Sequence, residues 1–287
     1  MKDVLTFVYR KITSLLRGTG IGRFHALRKL DAFLVAYLKT PEIVVNGYKM
    51  ILDSKDSLRL SINGVLEPCE TALLNREIKQ GDIVVDIGAN IGYYTLLASR
   101  QVGSVGKVYA FEPDPTNFAL LKKNVAINNC RNVVMVNKAV AERSVTMKLY
   151  LSDVNDGDHR AYASEETRKC ISIECTSLDD FFKDSSEDID FIKMDIQGFE
   201  CKAMRGMQAL LKRSKGMKLT AEFWPYGLTR AGDSPQELFQ LLEDGNFLLY
   251  EINEAKNRIE PADTNELLRS YPPDKQDYTN LYCVMRS

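Results

Sequence analysis

Four carboxylates stand where the pattern of the chain changes from strand to turn: Asp86, Glu112, Asp195 and Glu222. Each follows a run of β-forming residues. Asp86 closes Val84-Val85, Glu112 follows Lys107–Phe111, Asp195 follows 190–194, and Glu222 lies in KLTAEF at 218–223. In an open sheet of parallel strands, ligands bind outside the carboxyl ends of the strands. Carboxylates at four such ends can hold an ammonium, accept ribose hydroxyls, and polarise or deprotonate an acceptor hydroxyl.

Asp86 opens onto Ile87-Gly88-Ala89-Asn90-Ile91-Gly92, after which 93–100 reads as a helix. Glycines let a backbone approach a ligand, and a helix N-terminus offers N–H groups to an anion. Glu112, about twenty residues on, suits a ribose. The spacing alone also permits a dinucleotide. Against that, the turn is not G-x-G-x-x-G, and a carboxylate at Asp86 would sit poorly beside a pyrophosphate. It suits the α-ammonium of an amino-acid tail. A ligand with a ribose, a carboxylate and an ammonium is S-adenosylmethionine. The candidate contacts are Asp86, Gly88, Ala89, Asn90, Gly92 and Thr95 for the methionine end, and Glu112 with Pro113 for the ribose. Small apolar Ala139 and Val140 follow the third strand. They read either as a slot for adenine or as an ordinary strand end.

Three motifs, VVDIGANIGYYT, GKVYAFEPDPTNF and DFIKMDIQGFE, occur in that order. Together they resemble the FkbM family of S-adenosylmethionine-dependent methyltransferases, over a stretch from about Gly47 to the C-terminus. The resemblance implies a class I methyltransferase, a Rossmann-like fold, with methylation of hydroxyls on sugars, polyketides and other secondary metabolites. The family pattern at the fourth strand commonly reads Asp, aliphatic, Glu, Gly. This chain carries Gln197 in the third place.

For the acceptor, the catalytic candidates are Asp195, His159 and Glu222. His159 lies in a polar stretch, 152–168, between two strand-like runs at 145–151 and 170–176. It reads as a general base or as a solvated loop histidine. Asn155, Asp158 and Arg160 are further contacts for acceptor hydroxyls. Asp195 and Glu222 on neighbouring strand ends could share proton work, but no third metal ligand is evident, so no metal is expected. Trp224 beside Tyr226 reads as a stacking platform or as an aromatic plug. Glu67 and Glu70 open a helix and suit its dipole, or reach the site.

The elements that would position these residues alternate as an α/β fold. Seven strand runs are legible, at 84–86, 107–111, 132–137, 190–194, 218–223, 247–252 and 281–285. They imply a mostly parallel seven-stranded sheet with helices on both faces and an antiparallel end. Helices are expected at 70–78, 93–100, 115–128, 199–211 and 234–243, and alternation over 43–62 suggests short strands. The methyltransferase domain would occupy 46–287, preceded by a basic amphipathic helical extension over 1–45. Within residues 1–40, eight basic residues face two acids. That stretch reads as a helical flank, or as a contact for a membrane surface or a partner enzyme. It shows neither a membrane-spanning run nor a signal-cleavage pattern.

The net charge of -1 argues against a nucleic-acid partner. The six scattered cysteines, without a CxxC, argue against a disulfide framework or a zinc cage. The whole reads as a cytoplasmic O-methyltransferase, peripheral to the inner membrane face if its extension binds there, with a small-molecule or glycan acceptor. The competing readings are methylation of RNA or protein, and a non-catalytic cofactor-binding module.

Overall fold

A computed structural model describes Leu5, Tyr9 and residues 37–152, 155–163 and 168–286. Most of the expected N-terminal helical extension lies outside the described residues. The chain divides into two compact units, Met1–Leu66 and Glu67–Ser287.

In the first unit, β1 (Glu42–Val45) and β2 (Tyr48–Ile51) form an antiparallel hairpin. Asn46 and Gly47 both adopt positive φ, the geometry of a tight two-residue hairpin turn. The alternation expected to continue through Leu58, Leu60 and Ile62 instead gives a short helix, Leu60–Asn63. Two carboxylates impose that turn. Asp53 accepts from the backbone of Lys55 and Ser57, and Asp56 from that of Ser61. Local side-chain bonds of this kind compete with strand pairing.

The second unit is built on an eight-stranded sheet. Its strands are β3 (Ile83–Ile87), β4 (Lys107–Phe111), β5 (Val133–Val136), β9 (Phe191–Met194), β10 (Lys218–Phe223), β11 (Phe247–Asn253), β12 (Arg258–Pro261) and β13 (Thr279–Met285). The spatial order is β12-β11-β13-β10-β9-β3-β4-β5. From β5 to β10 the pairs are parallel, and beyond β10 they are antiparallel. The seven expected strands are all present, and β12 extends the edge by one hairpin. The chain leaves β3 toward β4 and β5, then returns to β9 on the other side of β3. A crevice opens at such a reversal.

Both faces of the sheet are covered. Val85, Ile87, Ile192 and Met194 pack in one core with Met204, Leu210 and Leu238 from the helices Glu200–Arg205, Gln208–Arg213 and Pro235–Asp244. Alternate residues point to the opposite face, where the helices Pro68–Glu77 and Tyr93–Val102 lie. The expected helix over 199–211 is broken at Gly206. A Cβ there would fall 2.1 Å from the Ala141 carbonyl oxygen, so glycine admits a strand end against the helix. Between β12 and β13, in the stretch that carries Pro261, Pro272 and Pro273, lies a helix, Thr264–Ser270, whose N-terminal N–H groups are capped by Asp263.

Between β5 and β9 the alternation stops. The strands β6 (Ala139–Val140), β7 (Thr146–Tyr150) and β8 (Cys170–Thr176) form a separate small sheet. The polar stretch joining β7 to β8 turns back on Tyr150 through a bridge with Arg160. Among the described residues no helix is long and apolar enough to cross a membrane.

Candidate functional site

The crevice gathers its side chains from the ends of β3, β4, β9 and β10. Asp86 is buried near the end of β3, and Thr95 Oγ1, from the first turn of the following helix, donates to Asp86 Oδ2 at 2.6 Å. Burial raises the Asp86 carboxyl to about 6, against the pull of Thr95 and of the Lys193 cation. Glu112, just past β4, is likewise buried. Its Oε2 accepts from the Asn90 N–H and its Oε1 from the Asp114 N–H, both at 2.8 Å. Burial raises it to about 8.

The glycine turn does something different from what its sequence suggests. The N–H groups of Gly88 and Ala89 both donate to the Phe111 carbonyl, and that of Gly92 donates to Ala89. Ile91 N–H is taken by the Asn90 side chain at 2.7 Å. These N–H groups, together with that of Asn90, are spent inside the protein and do not form an anion cradle. Gly88 is needed for a different close approach: a Cβ there would lie 2.0 Å from the Asp195 carbonyl oxygen. The glycine thus lets the ends of β3 and β9 meet. A Cβ on Gly92 would strike Leu121 Cδ1 at 2.7 Å, so this glycine seats the helix Pro115–Ile127.

Pro113 offers its carbonyl to Asn137 Nδ2 at 3.1 Å, and the Glu112 carbonyl accepts from the same amide at 2.8 Å. Ala139 and Val140 pair with β8, and the Val140 side chain is buried in the main core. Ala139 is left half-buried beside this strand end.

Asp195 and Glu222 do come together. Gln197 Nε2 donates to Asp195 Oδ1 at 3.0 Å and lies 3.3 and 3.2 Å from the two Glu222 oxygens. The amide therefore occupies the place between two carboxylates where the family pattern would put a third. Gln197 adopts φ +56 and Gly198 φ +97, and a Cβ on Gly198 would fall 2.3 Å from the Gly227 carbonyl carbon. That tight loop aims the amide. Asp195 remains accessible, with 37% of its side chain exposed. Glu222 is buried, and burial, then the Asp195 and Glu200 charges, push its carboxyl well up.

His159 lies elsewhere in the site. Its Nδ1 accepts from the Ser152 N–H at 3.0 Å, and its Nε2 faces Asp114 Oδ2 at 4.0 Å. A neutral imidazole in that tautomer carries its proton on Nε2 and has no lone pair left for an acceptor. Asp114 in turn caps the helix Pro115–Ile127, and Asn117 on that helix donates to the Asp156 carbonyl at 2.9 Å. His159 thus fastens the polar stretch to the helix after β4. Asp158 pairs with both Arg160 and Arg168. Asn155 accepts from the Gly157 N–H at 2.8 Å, which shapes the same turn.

Trp224 is buried between the Arg160 guanidinium, 4.9 Å from its ring, and Gly227, where a Cβ would meet the indole at 2.2 Å. It is an aromatic plug, with Tyr226 tilted against it at 5.5 Å.

Three residues that sequence reasoning left aside or weighed lightly complete the site. Lys193 sits in the middle of β9, with its register partner Asp86 on β3. Glu70 is fully buried on the helix Pro68–Glu77, where burial pushes its carboxyl up and the Lys193 ammonium pulls it back. Asn280 on β13 donates to both Glu67 and Glu70 at 2.9 Å. A lysine inside an apolar central strand was the available signal for Lys193. Asn280 left none, because its contact depends on the antiparallel return of the chain.

The donor set fits S-adenosylmethionine. Asp86 and Glu112 are buried carboxyls on adjacent strand ends, and the ligand's ammonium and ribose diol match them.

A family model described as Methyltransferase FkbM domain matches residues 86–249, more than half of the chain. Methyltransferase 1 of Beauveria bassiana is 22% identical over 144 residues, covering 43% of this chain and 57% of that protein. The 31-O-demethyl-FK506 methyltransferase FkbM of Streptomyces tacrolimicus is 48% identical over 48 residues, 17% of this chain and 18% of that one. Hexuronic acid methyltransferase AglP of Haloferax volcanii is 25% identical over 142 residues, 49% of this chain and 56% of that one. The chain therefore spans little more than half the length of the Beauveria and Haloferax relatives.

Proposed function

Because the chain belongs to the FkbM methyltransferase domain family, we propose that it is an S-adenosylmethionine-dependent O-methyltransferase acting on a hydroxyl of a sugar, glycan or secondary metabolite. The observation that carries this reading is the meeting of two pairs at one switch point. Asp86 and Glu112 suit the cofactor, and beside them Gln197 ties Asp195 to Glu222. The names of the Streptomyces and Haloferax relatives, a 31-O-demethyl-FK506 methyltransferase and a hexuronic acid methyltransferase, support an oxygen acceptor of this class.

The cofactor, when bound, supplies a methyl group already activated by a positive sulfur. Asp86 would hold its ammonium and Glu112 its ribose. What remains for the protein is to place the acceptor hydroxyl and take its proton. Asp195 is the accessible carboxylate of the pair. It accepts a hydrogen bond from the hydroxyl and draws off the proton as the new bond forms, a contribution of roughly 10²–10⁴-fold. Gln197 holds Asp195 by one oxygen, so the carboxylate meets the acceptor in a fixed orientation.

The test is transfer of isotope-labelled methyl from S-adenosylmethionine into fractionated small-molecule and glycan extracts, with Asp195→Ala beside the parent protein. Label in an alkali-stable product, lost in the variant, is the expected result. Label in RNA or protein fractions would move the acceptor to another class. Cofactor binding with no labelled product in any fraction would mark a binding module.

A further inference from the structure

Lys193 interrupts an apolar strand, Phe191-Ile192-Lys193-Met194, at the centre of the sheet. Its side chain is only 3% exposed. The strand pleat puts it on the same face as Asp195, two residues on. Its Nζ lies 3.5 Å from Glu70 Oε1 and 3.8 Å from Asp195 Oδ2, and 5.0 Å from the centre of the Tyr94 ring. Among the described residues the ammonium makes no hydrogen bond of normal geometry. It is held by charge and by the aromatic face.

Burial would lower the pKa of such an ammonium, but the charges of Glu70, Asp195, Glu67 and Asp86 outweigh it and keep the lysine protonated. Glu70 is itself fixed. Its Oε2 accepts from Asn280 Nδ2 at 2.9 Å and from Tyr94 OH at 3.3 Å. Tyr94 OH also donates to Glu67 at 2.8 Å. A buried ion pair is a poor way to gain stability, since an apolar side chain of the same volume commonly does as well. Its worth here lies in what it touches. Gln197 binds Asp195 through Oδ1, and Lys193 faces Oδ2.

We propose that Lys193 is a positioning residue for methyl transfer: anchored from behind by Glu70, its ammonium fixes the Asp195 carboxylate from one side while the Gln197 amide fixes it from the other. This rests on the reading of Asp195 as the group that meets the acceptor hydroxyl. Loosening that carboxylate by about 1 Å costs on the order of 100-fold in rate.

Two measurements test it. In protein labelled with ¹⁵N-lysine, the Lys193 ammonium resonance is identified by its loss in Lys193→Arg. Asp195→Asn and Glu70→Gln should each shift it, and a resonance indifferent to Asp195→Asn would overturn the proposal. This readout needs no acceptor and no turnover. The second measurement uses Lys193→Met, with folding checked by its melting transition. Its S-adenosylmethionine affinity by calorimetry should stay within about threefold, and its acceptor KM likewise, while kcat falls by about 100-fold. An unchanged kcat would equally overturn the proposal. If the parent protein transfers no methyl group, the functional reading fails instead, and that is seen before any variant is made.

Discussion

The side-chain amide of Gln197 reaches Asp195 Oδ1 at 3.0 Å and is the link by which that carboxylate is tied to Glu222. An N–H donor between the two carboxyl groups lessens the repulsion that, together with burial, pushes Glu222 up. The reduced charge of the fourth-strand motif is therefore matched to its surroundings.

Gln197→Glu tests this directly. The variant replaces a donor with a third carboxyl among Asp195, Glu222 and Glu200, and should cost about 1–3 kcal/mol of stability. The sign with pH follows from where the new carboxyl titrates. Crowded by like charges, its folded pKa lies above the unfolded value of about 4.3. The folded variant then binds an extra proton, so its stability is best kept below that value and lost as pH rises through the folded pKa. The gap in urea midpoint between parent and variant should be larger at pH 8 than at pH 5. An equal gap at both would show that the amide does not serve the carboxylates.

Cofactor binding should depend on pH through Asp86. In the free protein burial raises this carboxyl to about 6. A ligand ammonium favours the ionised form, so binding must expel the proton wherever Asp86 still carries it. Affinity should fall as pH drops below about 6, with proton release measurable by calorimetry in buffers of different ionisation enthalpy. Asp86→Asn should remove that dependence and weaken binding by about 10- to 100-fold, the worth of a hydrogen bond to a charged group. A pH dependence that persists in Asp86→Asn would shift the assignment to Glu112, raised to about 8.

Much of this site is legible in the sequence because parallel strands are short, apolar and bounded by turn residues. The positions of Asp86, Glu112, Asp195 and Glu222 at strand ends follow from that rule alone. The use of the glycines does not. Gly88 sits in a turn that reads as a ligand cradle, yet the atom it admits is the Asp195 carbonyl, more than a hundred residues away. Hydrogen-bond partners across the sheet depend on strand order, which periodicity does not encode. Glu70 was open to reading as a helix-dipole acid because its partners, Lys193 and Asn280, come from β9 and β13. The helix Thr264–Ser270 was hidden by the prolines around it, although Asp263 is an ordinary N-cap.

His159 should prove a fastening rather than a base. His159→Ala removes the acceptor for the Ser152 N–H and the partner of Asp114, and should lower stability by about 1 kcal/mol. The rate-versus-pH profile of the variant should keep the shape of the parent profile. Loss of a limb near pH 6.5, the ordinary histidine range, would restore the imidazole to the proton transfer.

Gly198→Ala is a severe single change in the site. Gly198 has φ +97, a conformation that side chains rarely adopt, and an added Cβ would lie 2.3 Å from the Gly227 carbonyl carbon. Both obstacles are backbone, so no side-chain rotation relieves them. Strain of this kind costs about 1–3 kcal/mol, before the clash is counted. Relief requires the Gln197-Gly198 loop to move, which withdraws the amide from Asp195 and Glu222. The variant should therefore lose thermal stability and kcat together, while its affinity for S-adenosylmethionine, held at Asp86 and Glu112, changes little. A variant that melts lower yet turns over at the parent rate would separate the loop from the chemistry.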